Sequence, residues 1–99
     1  MRRTAPAGQE FAETLALRAL GWLVGNEEIL PLFLGATGSS AADLRARAAE
    51  PEFLVSVLDF LLIDDAWVIA FCDAAGYGYG EPGAARQAFR EYAPMRMRP

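Results

Sequence analysis

Between Phe53 and Cys72 the sequence reads FLVSVLDFLLIDDAWVIAFC, an apolar run broken by Ser56, Asp59, Asp64 and Asp65. The run is long enough to cross a bilayer, but each aspartate near its centre would cost about 2.5 to 3.5 kcal/mol, against about 0.3 to 0.6 gained per large aliphatic side chain. The aspartates outweigh the aliphatics, so no membrane span is expected. The apolar surface must be buried by other parts of the chain, and the adjacent aspartates need an explanation of their own.

Helical spacing supplies one. Pro51 suits the first position of a helix reaching about Ile63. In that helix Phe53, Leu54, Val55, Val57, Leu58, Phe60, Leu61, Leu62 and Ile63 cover nearly the whole circumference, leaving a narrow stripe of Glu52, Ser56 and Asp59 for solvent. A second apolar helix from Asp65 to Ala75 carries Trp67, Val68, Phe71 and Cys72 and stops at Gly76. Asp64 then reads as the N-cap between the two, its carboxylate accepting from first-turn amides.

The rest of the chain reads in the same terms. Phe11, Ala12, Leu15, Ala16, Ala19, Leu20 and Leu23 recur at helical spacing over about Gln9 to Val24. Gly25 and Asn26 break that helix, and Asn26 with Glu27 and Glu28 reads as a new N-cap with acids in the first turn. Pro31 lacks an amide hydrogen, which predicts either a kink or a late start with Pro31 in the first turn; this helix ends near Thr37 and Gly38. Ser40 and Asp43 resemble a capping box opening a short helix to Ala49. After the GYGYGEPG loop, residues 76 to 83, Pro82 opens a last helix to about Tyr92, burying Ala85, Ala88, Phe89 and Tyr92, and Pro94 ends it.

Sliding the sequence against itself by 38 positions pairs Leu20 with Leu58, Leu23 with Leu61, Phe33 with Phe71, Ala36 with Ala74 and Gly38 with Gly76. It also sets Asn26 on Asp64 and Glu27 on Asp65. Caps and glycine stops coincide along with apolar bulk, suggesting a helical hairpin made twice. The expected fold is all-α: a compact bundle of five or six helices with approximate two-fold symmetry. Leu20, Leu23, Phe33, Leu54, Leu58, Leu61, Trp67 and Phe71 are the expected core. Residues 9–93 form the domain, between flexible segments at 1–8 and 94–99.

Chemistry is sparse. Histidine is absent and Cys72 is the lone cysteine, so neither a zinc site nor a base-activated thiol or hydroxyl can be assembled, and no disulfide can form within the chain. The start MRRTAPAGQEF has no unbroken apolar segment of the secretory kind, and with the lone cysteine this predicts a cytoplasmic protein. From Glu10 to Glu81 there are twelve acids against Arg18, Arg45 and Arg47, while Arg2, Arg3, Arg86, Arg90, Arg96 and Arg98 mark the ends. Arginine-bearing ends beside an acidic body are poorly suited to nucleic acid, which stays a further alternative. Another alternative gathers Glu27, Glu28, Asp64 and Asp65 into an oxygen-rich cation site, or an enzyme using those carboxylates, but adjacent carboxylates at a helix start diverge and no EF-hand spacing supports them. No catalytic, metal or cofactor-binding residue is assigned.

What remains is surface. Apolar residues make up 54% of the chain, more than a small domain hides easily, so an unknown protein partner or a homodimer is expected. Tyr77 and Tyr79 in the glycine-rich loop are the candidate partner contacts. The function expected is a non-enzymatic protein-interaction module.

GNEEILPLFLGATG, followed by LRARAAEPEFLVSVLDFLLIDDAWVIAFCDAAG, resembles the small bacterial family known as domain of unknown function 3572. The resemblance runs from about Phe11 to Gly76. It implies a compact all-helical cytosolic protein without an assigned activity, and it carries over no catalytic or binding residues.

Overall fold

The computed structural model describes residues 7–89. Six helices run through them: α1 (Ala7–Val24), α2 (Leu30–Thr37), α3 (Ala41–Arg47), α4 (Pro51–Leu61), α5 (Asp65–Ala75) and α6 (Glu81–Gln87), with no strand among the described residues. Of the flexible segments expected at 1–8 and 94–99, residues 1–6 and 94–99 lie outside this range, as does the expected close of the last helix at Tyr92 and Pro94, while Ala7 and Gly8 already belong to α1. None of the helices is long and apolar enough to cross a membrane.

Each boundary follows from the backbone chemistry of a few residues. Asn26 Oδ1 accepts from the amides of Glu28 at 3.1 Å and Ile29 at 3.2 Å, and Asn26 O accepts from Leu30 N at 2.9 Å. The next donor in that series would be Pro31, which has none, so the turn capped by Asn26 does not run on as a regular helix. α2 instead starts at Leu30 with Pro31 in its first turn, the late start that the sequence allowed.

Asp64 caps α5 as expected. Its extended backbone (φ −127°, ψ 117°) places Oδ1 2.8 Å from Ala66 N. That extended residue also explains why α4 stops at Leu61, two residues earlier than expected: the chain must leave the helix to present the cap, which strands Ile63 in solvent. Asp64→Ala should lower stability by about 0.5 to 2 kcal/mol, read from the denaturant midpoint at unchanged slope.

Gly38 (φ 72°) and Gly76 (φ 83°) close α2 and α5 in the left-handed region, which costs glycine nothing. The amide of each, and of the residue after it, donates to one carbonyl four residues before the glycine, Leu34 O in one half and Cys72 O in the other. Ser40 N donates to Asp43 Oδ2 at 3.2 Å at the start of α3, and this bond holds the Asp43 carboxyl below its ordinary pKa. The pattern of long helix, Asn or Asp cap, helix, left-handed glycine and short helix is thus made twice.

α4 is the centre, buried on nearly every side through Phe53, Leu54, Val55, Val57, Leu58, Phe60 and Leu61. Phe33 of α2 meets Phe53 and Phe60 edge-on at 5.8 and 5.2 Å, and Phe60 stacks on Trp67 of α5 at 4.8 Å. Every expected core residue is buried except Trp67, which is half-buried with its ring over Phe60.

The two short helices are used differently. α6 packs on both α1 and α4 and buries Pro82 and Ala85, with Phe89 sealed just beyond it. α3 packs on neither helix to a similar extent and buries one residue, Leu44. Its C-terminal end is held from the side: the Arg47 guanidinium lies 4.8 Å from the Phe53 ring centroid, donates to Ser39 Oγ at 2.9 Å and pairs with Glu50 at 3.6 Å. The two halves therefore share a local pattern while one short helix seals the bundle and the other stands off from it.

Candidate functional site

Where α3 stands off, the bundle is open. A groove of about 430 Å³ lies between the C-terminal half of α1 and α3, with Leu30 of α2 also lining it. α1 contributes Leu17, Leu20, Gly21 and Val24, at the spacing that keeps one helix face toward the groove. α3 and its cap contribute Ala41, Leu44, Arg45 and Ala48. Leu17 and Val24 are 46% and 48% exposed, so the groove opens apolar side chains to water. A Cβ added at Gly21 would meet nothing within 4 Å. The groove is apolar over two turns of α1, and Arg45 of α3 is the charged residue in its lining.

The tyrosine loop divides. Tyr77 folds back: its ring stacks on Phe71 at 5.7 Å and meets Phe11 edge-on at 6.2 Å. Tyr79 stays exposed, and its hydroxyl donates to Asp73 Oδ1 at 2.8 Å. That bond, with the nearby carboxylate charge, raises the phenol above its ordinary pKa because the neutral form is the donor. The loop is tied down at a second point by Glu81 Oε2, which accepts from Gly78 N at 3.3 Å.

Cys72 is buried against the same loop, its Sγ donating to Gly78 O at 3.4 Å. Burial, then the charges of Glu81 and Asp73, push the thiol pKa up, so the nucleophilic thiolate is scarce at neutral pH. A disulfide reagent should therefore react with Cys72 in native protein far more slowly than in urea-unfolded protein; equal rates in the two states would contradict the burial.

The expected solvent stripe on α4 is partly corrected. Glu52 is exposed and Ser56 donates back to Glu52 O at 3.3 Å, but Asp59 is paired with Arg86 of α6, Nε to Oδ1 at 2.6 Å. The two side chains are 17% and 14% exposed. Arg86 is therefore a bolt between α4 and α6, whereas the sequence had placed it with the basic chain ends. No group of three or more carboxylates or thiols that could hold a metal ion forms among the described residues, so Glu27, Glu28, Asp64 and Asp65 are not gathered into one.

With six helices and these caps in place, the comparison with known families is decisive: the model of the family described as "Protein of unknown function (DUF3572)" matches residues 9–91. The chain belongs to the DUF3572 family. No curated protein and no solved structure matches it. The DUF3572 match takes in every residue lining the groove and the whole tyrosine loop, beyond the Phe11 to Gly76 stretch that carried the sequence resemblance.

Proposed function

We propose that this DUF3572 chain is a non-enzymatic protein-interaction module that receives a helix in the groove between α1 and α3. The observation that carries the reading is the open apolar groove itself, with Leu17 and Val24 half exposed along its edge. The chemistry of the chain agrees with it. There is no histidine to serve as a base, and the one thiol is buried with its pKa raised.

Gly21→Gln tests the reading. A Cβ at Gly21 meets nothing within 4 Å, so the new side chain starts in open space beside the groove, and replacing a helical glycine favours α1; an undiminished denaturant midpoint separates lost binding from lost folding. Affinity capture from the native cell is expected to recover proteins with the wild-type chain that Gly21→Gln does not recover. The same set recovered by both would contradict the groove as the working surface.

A further inference from the structure

Among the described residues, the groove stands apart in charge. Of the described arginines, Arg47 is held by Glu50, Ser39 and Phe53, and Arg86 by Asp59. Arg45 lines the groove, and Arg18 follows Leu17 on the exposed side of α1, roughly 60° round the helix from Gly21. Both are exposed. Among the described residues, Arg18 and Arg45 are the arginines classed as exposed, one beside Leu17 and the other on the groove itself.

The complementary surface is on the same chain. The outward stripe of α5 reads Asp65, Ala66, Ile69, Ala70 and Asp73, all exposed. Ile69 is 43% exposed, a single aliphatic knob flanked by alanines that let another backbone approach. The acids stand four residues before and after it, about 6 Å away along the axis in each direction. The groove offers small residues in its lining, Gly21, Ala41 and Ala48. The stripe is nearly palindromic about Ile69, so either direction of α5 along the groove brings an acid to each end.

We propose that α5 of one copy seats in the α1–α3 groove of a second copy, with Ile69 over Gly21 and with Asp65 and Asp73 meeting Arg18 and Arg45. This rests on the groove reading above and names its occupant. Asp73 keeps its bond to Tyr79 while its second oxygen is open to an arginine. Groove and ridge are different surfaces, so the contact closes reciprocally in a pair or runs on into a ring or chain. One helix in one groove lies below the standard interface of about 1,200 Å², which makes the association weak and sensitive to salt.

Sedimentation of the full chain from micromolar to millimolar concentration tests it. The wild-type mass is expected to rise with concentration, and Ile69→Gln and Gly21→Gln each to weaken association by about tenfold or more. Both sites face solvent, so neither variant threatens the fold. Arg18→Glu/Arg45→Glu and Asp65→Arg/Asp73→Arg should each stay monomeric alone, and their mixture should recover association. A monomeric wild type overturns self-docking but leaves groove-dependent capture standing. Association that survives Ile69→Gln and Gly21→Gln, or a mixture of folded reversed variants that fails to associate, also overturns it. Capture unaffected by Gly21→Gln removes the groove reading and self-docking together.

Discussion

Phe33→Ala is expected to remove about 3 to 5 kcal/mol of stability, the largest effect of any single truncation considered. Phe33 is fully buried and is the contact through which α2 holds α4, meeting Phe53 and Phe60 edge-on. The cavity left behind cannot collapse easily, because Phe53 is pinned from its other side by Arg47 and Phe60 is stacked on Trp67. A domain of this size has about 5 to 15 kcal/mol in total, so the variant should be marginal near physiological temperature. Urea denaturation followed by circular dichroism reads the loss directly. A drop under about 1.5 kcal/mol would mean that α2 is not seated on α4 as described.

Arg86→Met is expected to cost about 2 to 3 kcal/mol, less than a fully buried pair would because both side chains keep some solvent. The loss comes from the 2.6 Å contact across the α4–α6 seam, which methionine cannot make to the Asp59 carboxylate. Arg86 also donates to Phe89 O at 3.1 Å, so the variant loosens the residue that follows α6 as well. Asp59→Leu/Arg86→Met should recover part of the loss, since exchanging both members of a buried pair for apolar groups is cheaper than removing one of them. A double variant as unstable as the single one would show that the ion pair was not the cause.

Much of this fold is written locally. Caps and stops depend on residues within four positions of one another, so Asn26, Asp64, Gly38, Gly76 and the proline-delayed start of α2 could all be read before any tertiary contact was known. The buried faces follow from helical spacing for the same reason. The Asp59–Arg86 pair spans 27 residues and joins two helices whose neighbourhood no local pattern specifies. The groove was hidden for a related reason. It exists because α3 and α6, equivalent in the repeated pattern, pack differently, and the signal lay in what each carries. α3 brings a single large aliphatic, Leu44, whereas α6 brings Pro82 and Ala85, followed by Phe89. Tyr77 and Tyr79 looked alike as loop residues and differ only because Tyr77 reaches Phe71 and Phe11.

Self-docking sets α5 of one copy in the gap that α3 leaves beside α1 of another. Amide chemical shifts recorded over a series of protein concentrations test it residue by residue. Leu17, Gly21, Ala41 and Arg45 are expected to shift together with Ala66, Ile69 and Asp73, in proportion, while α4 stays still. Groove and α5 amides that remain fixed while the protein associates, or that never move at any concentration, would contradict it.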